Sequence, residues 1–364
     1  MKIEKINGAE SFCLETPLVD LAVTETGGQH TATFRLGARA VKPYSLSPWE
    51  PAEYPELPVL LSHLRGDFFC LPFGGQDDGP PHGDPANATW QKSAANDEST
   101  LSLRMETTDT GATVEKKIAI RPGQTALFIE HEISGLTGAW SYGSHPVLDC
   151  SGLAEGQGRV SVSPFRWGSV NQSIFADPKN KQYQCLKQGA EFSDLREVPK
   201  SDGAVADLTY WPARQGYEDL VMMASENGGA PFAWTAIVMD GYLWFCLKNP
   251  HDFPATIFWM SNGGRHDEPW NGRHLSRIGL EEVCAYFADG LNKSRETLLA
   301  NQKIPTVRQF DGTLVRLRLI QGVLAIPENF DIVKSITPMD DGTVSFLAES
   351  GVTVETNLDW KFVV

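Results

Sequence analysis

The chain has 364 residues, with 31 basic against 46 acidic side chains for a formal charge of -15; it is 41% hydrophobic and 21% charged. These are the values of a globular protein with a large core, and they exclude a disordered or collagen-like chain. The acidic balance lacks the basic stripe that phosphate backbones or anionic lipids select, so neither nucleic acid nor a membrane surface is an expected partner.

The first residues, MKIEKINGAESFCLETP, hold no apolar core of signal-peptide length, and no later stretch approaches a membrane-spanning run. The reading is a soluble, unexported, cytoplasmic protein. Residues 43–58 and 71–85 are Pro- and Gly-rich loops that also carry Trp, His, Asp or Arg, side chains a plain spacer does not need. Between them, from residue 63, runs HLRGDFFCLPFGGQDDGPPHGDPANATW. In its strand-like opening Arg65, Asp67 and Phe69 share one face and Phe68 and Cys70 the other. Spacing alone fits a structural Arg65–Asp67 ion pair followed by a solvated loop.

Period-2 alternation then marks strands at 101–108 (LSLRMETT) and 112–121 (ATVEKKIAIR). Residues 142–150, YGSHPVLDC, place His145 before a proline, which pushes its backbone to extended geometry at a strand end. A lone histidine in such a run is as compatible with a core position as with catalysis. Strands follow at 232–240, 242–248 and 255–261, the first two joined at Asp240-Gly241. The loop 262–272 carries Arg265, His266, Asp267, Glu268 and Trp270 and leads to a strand at 278–286 interrupted by Glu281 and Glu282. Neighbours on a strand face opposite ways, so one of these two carboxylates at most enters a given cavity. His266, Asp267, Glu268 and His274 have metal-compatible donors without a ligand spacing, and no metal is expected there.

Residues 294–302 (SRETLLANQ) are the best helix candidate, starting near Ser294 and Thr297. Composition shifts after 303, which divides the chain into a β domain at 1–303 and a β-rich C-terminal extension at 304–364, packed on the same sandwich. Six widely scattered cysteines read as buried thiols rather than disulfides.

Taken in order, these islands resemble the galactose mutarotase-like superfamily, the aldose 1-epimerases and their hexose-phosphate epimerase relatives. Arg65-Gly66, Leu71-Pro72-Phe73-Gly74 and His82-Gly83 with Asn87 and Trp90 are similar to the epimerase segment R-G-G, P-x-F-G, H-G-F-A-R-N and tryptophan. Ser144-His145-Pro146 resembles the histidine strand, and Gly279-Leu280-Glu281 the late G-[IL]-E strand. The opening VDLAVTETGGQHTATFRL has the two strands around a Gly-Gly turn with which that fold begins. The likeness spans roughly residues 15–290, in short motifs whose order carries the argument.

The resemblance implies a β-supersandwich of large antiparallel sheets, a small-molecule sugar as ligand, and anomer interconversion by ring opening and closure. It implies Glu281 as general base and His145 as general acid, an ionised carboxylate and an imidazolium stabilising each other across a cleft. It also implies Arg65, His82 and Asp219 on sugar hydroxyls, with Trp90 and Trp270 as stacking faces. No cofactor is demanded. Two departures bear on the substrate: Ala86 stands where the phosphate-sugar epimerases have arginine, and Asp84 where they have phenylalanine. Both changes disfavour a dianionic sugar. A noncatalytic carbohydrate-binding protein on the same fold is the alternative, and hydrolysis by paired carboxylates would require Asp67 or Asp84 within reach of Glu281.

Overall fold

Alternating apolar side chains make a strand wherever a sheet face can receive them. The computed structural model describes residues 2–226 and 228–364. The alternating runs form strands within a residue or two of their expected ends: Thr100–Glu106, Thr113–Ile120, Ala233–Met239, Tyr242–Lys248 and Ala255–Asn262.

Three sheets build the body. A five-stranded antiparallel meander opens the chain, from Lys2–Ile6 to Arg39–Val41. A nine-stranded sheet has Tyr242–Lys248, Val315–Ala325 and Ala126–Ser134 side by side at its centre. An eight-stranded sheet sets Tyr217–Ser225, Ala255–Asn262 and Arg277–Cys284 next to one another, and Tyr142–Ser144 and Val147–Asp149 both pair with the last of these. The two large sheets share one core, in which Phe258 and Leu280 meet the cluster containing Trp244 and Leu317. Strands covered on both faces read as continuous apolar runs, which explains YLWFCLK. The accessible surface of 14465 Å² matches the roughly 14,000 Å² of a single body of this length.

What covers the outer faces differs. Phe128 and Phe245 of the nine-stranded sheet lie under Ile336 and Phe346 of a C-terminal three-stranded sheet. The outer face of the eight-stranded sheet, with Met222, Ile257 and Val283, is instead roofed by loop and helix residues such as Trp49, Leu60 and Leu299. A loop roof leaves space that a sheet would fill, and the candidate site lies there.

Two expectations need correction. The division at residue 303 does not hold, because Val315–Ala325 is a central strand of the nine-stranded sheet; only the chain beyond it makes the added sheet. The helix expected at 294–302 runs instead at Gly290–Arg295, with a single 3-10 turn at Ala300–Gln302. Thr297 has φ +51, a left-handed conformation that stops the helix. Ser294 is inside it rather than capping it, its hydroxyl donating to the Gly290 carbonyl at 2.9 Å. All six cysteines are free and buried.

Candidate active site

A cavity of about 200 Å³ opens on the outer face of the eight-stranded sheet, and His82, His145, Trp259, Arg265, Trp270 and Glu281 line it together with leucines of residues 60–64. Strand pairing decides which carboxylate enters. Glu281 stands opposite Ile257 on the outer face, whereas Glu282 stands opposite Thr256 and Ser144 on the inner one. Glu282 is fully consumed there: Lys248 pairs with it, and the Thr235 and Thr256 hydroxyls donate to its oxygens at 2.6 and 2.8 Å.

Glu281 has the opposite environment. His145 Nε2 lies 3.3 Å from its Oε1, without hydrogen-bond geometry, and neither of its oxygens has another partner among the described residues. Burial, followed by the nearby charges of Asp67 and Glu282, pushes this carboxyl well above its usual range. Burial, followed by His82, holds the His145 imidazole well below its own. The pair therefore favours a protonated carboxyl beside a neutral imidazole, in place of the carboxylate and imidazolium expected from the sequence. The two groups also touch on one wall rather than facing each other across a gap.

Local sequence explains how each is held. Gly279 leaves the Glu281 carboxyl its place, because a Cβ there would sit 2.4 Å from Glu281 Oε1 and push it aside. His145 bridges the short strands Tyr142–Ser144 and Val147–Asp149, and its backbone N–H reaches the Phe68 carbonyl at 3.0 Å and Asp67 Oδ1 at 2.8 Å. Phe68 stacks on its ring at 4.5 Å. His82 meets it edge-on at 5.0 Å. His82 Nδ1 accepts from the Gly74 N–H at 3.2 Å, so its proton resides on Nε2, and burial lowers its pKa to about 3. A neutral His82 can offer a cavity occupant a hydrogen bond but not a charge.

Of the seven residues singled out from the sequence, four line the cavity: His82, His145, Trp270 and Glu281. Arg65, Trp90 and Asp219 are elsewhere. The Arg65 guanidinium is spent on the carbonyls of His63, Ile6 and Asn7, the first at 2.8 Å, and it ties the N-terminal hairpin to the body. It makes no pair with Asp67, whose oxygens accept from Ser144, His145 and Gln321 on the inner face of the sheet. Trp90 is core, its indole donating to the Pro85 carbonyl at 2.9 Å and lying where a Gly28 side chain would be. Asp219 holds the loop backbone at Cys185 and Leu186 at 3.0 and 2.8 Å. Asp84 accepts from Thr108, and Asp149 pairs with Arg277, so Glu281 is the one carboxylate among the lining residues. Among the described residues no three His, Cys, Asp or Glu side chains converge as metal ligands.

No protein-family model matches the chain, and no curated protein does. Solved structures do. A candidate aldose 1-epimerase of Escherichia coli K12 is 14% identical with a TM-score of 0.58, over 87% of this chain and 99% of that one. A galactose mutarotase-like protein of Lactobacillus casei ATCC 334 is 12% identical with a TM-score of 0.55, over 86% and 100%. The galactose mutarotase related enzyme of Lactobacillus acidophilus is 10% identical with a TM-score of 0.55, over 87% and 98%. The chain has the galactose mutarotase-like fold.

On this galactose mutarotase-like scaffold Trp259 also lines the cavity, and Glu218 and His274 contact it from behind, three residues that sequence reasoning passed over. Trp259 shares the outer face with Ile257 and Glu281, a position fixed by counting in twos along ATIFWMSN. Glu218 faces the same way while its neighbour Asp219 does not; its oxygens accept from Trp259 Nε1 at 3.0 Å and Ser261 Oγ at 2.8 Å, and burial raises its pKa to about 7. His274, grouped by sequence with a solvated loop, is buried and stacked on Trp259 at 5.4 Å.

Proposed function

We propose that the protein is an aldose 1-epimerase-like isomerase that interconverts sugar anomers in this cavity, with a small-molecule sugar as its ligand. The observation that carries the reading is the His145–Glu281 contact of 3.3 Å, made on the wall of a monosaccharide-sized hollow by two groups whose facing atoms have no competing hydrogen-bond partner among the described residues.

Anomer interconversion needs a proton removed from the C1 hydroxyl and another delivered to the ring oxygen. Those oxygens share one carbon, so two proton-transfer groups in mutual contact can reach both at once. The pair holds one proton. With the proton on Glu281, the imidazole Nε2 takes the C1 hydroxyl proton while the carboxyl protonates the ring oxygen. The C1–O5 bond breaks, its electrons remain on O5, and C1 becomes the aldehyde carbonyl. His145 is then imidazolium and Glu281 carboxylate, so that in ring opening His145 is the base and Glu281 the acid, the reverse of the roles the resemblance implies, and closure after rotation of the aldehyde restores the starting state. Each well-placed group contributes on the order of 10²- to 10⁴-fold. His82 and Trp270, with Trp259 beside them, orient the ring by hydrogen bonding and stacking.

Polarimetry of freshly dissolved α-aldoses, run beside calorimetric titration of the same sugars, is the test. Acceleration of mutarotation supports the isomerase. Sugar binding with no acceleration makes the protein a noncatalytic carbohydrate binder, and this reading then fails.

A further inference from the structure

The cavity carries one permanent charge, and among the described residues no side-chain hydrogen bond uses it up. Arg265 lines the wall, and its guanidinium lies 4.8 Å from the Trp270 ring, 5.1 Å from Phe175 and 5.5 Å from Trp259. Its Nε is buried without a hydrogen-bond partner among the described residues. The carboxylate that approaches it, Glu218, stops 3.9 Å away. Glu218 is held back by its own donors: the Trp259 indole, the Ser261 hydroxyl and, at 3.2 Å, the Gly264 N–H. Ser261 is supported in turn by His274 Nδ1 at 2.6 Å. Among the described residues this planar five-donor fork, enclosed by aromatic rings, has only the loose ion pair with Glu218 and makes no side-chain hydrogen bond, which leaves donors free for an acceptor.

The rest of the wall narrows the ligand class. His82 and His145 are both driven towards their neutral forms, and no other lysine or arginine lines the cavity among the described residues. A single cation, already approached by Glu218 at 3.9 Å, balances at most a single negative charge on a ligand. The volume of about 200 Å³ falls below the roughly 300–1,000 Å³ of ordinary ligand pockets and accommodates one ring with little beyond it. Asp84, which read as repelling an anion, lies outside this cavity, its carboxylate on Thr108.

We propose that Arg265 selects an aldose bearing a carboxylate away from its anomeric carbon, a uronate-type sugar, by a bidentate charge-assisted hydrogen bond. The proposal rests on the preceding reading only in taking a sugar as occupant.

The test is calorimetric titration of wild-type protein and Glu281→Gln, the latter to read binding without turnover, with galacturonate and glucuronate, the parent neutral hexoses and their 6-phosphates. A uronate is expected to bind on the order of 10- to 100-fold more tightly than its neutral parent, the worth of a hydrogen bond to a charged group. Arg265→Met should erase that ratio and Arg265→Lys retain part of it, with unchanged melting temperatures excluding misfolding. Equal binding of neutral sugar and uronate, tighter binding of the 6-phosphates, binding of none of them, or a ratio that survives Arg265→Met overturns the proposal. Uronate preference without anomer exchange would fell the isomerase reading alone. Exchange of neutral hexoses without uronate preference would fell this inference alone.

Discussion

Gly279→Ala isolates the geometry of the proton-transfer pair from its chemistry. The new Cβ would stand 2.4 Å from Glu281 Oε1 and 3.1 Å from Trp259 Cβ. Ordinary contact begins at 3.4 Å, so the carboxyl must retreat by about 1 Å. The backbone cannot yield instead, because Gly279 is paired on one side with Trp259 and on the other with Val147. Oε1 is the atom that meets His145. A displacement of about 1 Å at a reacting group costs on the order of 10²-fold in rate. A glycine within a strand is itself destabilising, so the alanine variant should fold with undiminished stability. Mutarotation rates read by polarimetry should therefore fall about 100-fold while the thermal melting temperature holds. Full activity in Gly279→Ala, or loss of activity accompanied by loss of fold, would refute the reasoning.

Three further outcomes follow from neighbouring features. The acid limb of the pH–rate profile, on which His145 gains its second proton, should lie below 6.5, the ordinary imidazole value, because burial lowers the pKa of that imidazole; an acid limb at or above 6.5 would contradict the neutral imidazole. Lys248→Met leaves the Glu282 carboxylate buried and uncompensated and should cost about 3–5 kcal/mol in denaturant unfolding; a loss below about 1 kcal/mol would contradict the buried ion pair. Arg65→Met should cost about 1.5–3 kcal/mol of stability, through its carbonyl partners in the N-terminal hairpin, while the sugar affinity stays that of the parent; a raised KM at unchanged stability would return Arg65 to the site.

The strands and the choice of loops were legible in the sequence because period-2 alternation and loops rich in both glycine and functional side chains are local signals. ATIFWMSN and YLWFCLK announce themselves, and the loops at 71–85 and 262–272 do supply His82, Arg265 and Trp270 to the cavity. The rule that neighbouring strand residues point apart separates Glu281 from Glu282, but it cannot say which face is outward. That depends on Lys248, Thr235 and Thr256, which are distant in the chain. Asp219 entered through the resemblance, whereas its neighbour Glu218 is the one that faces outward and touches Trp259. Arg65 was misread because its acceptors are main-chain carbonyls, which leave no trace in side-chain spacing. Val315–Ala325 looked like an appendage because its partners, Tyr242–Lys248 and Ala126–Ser134, lie far back in the sequence.

The central claim is that His145 and Glu281 act as one proton-carrying unit, and a double-mutant cycle on mutarotation tests it most directly. The account predicts that His145→Ala, Glu281→Gln and the double variant lose activity to nearly the same extent, because either half alone is useless. Losses that multiply across the two positions, or a Glu281→Gln protein as active as wild type, would contradict it.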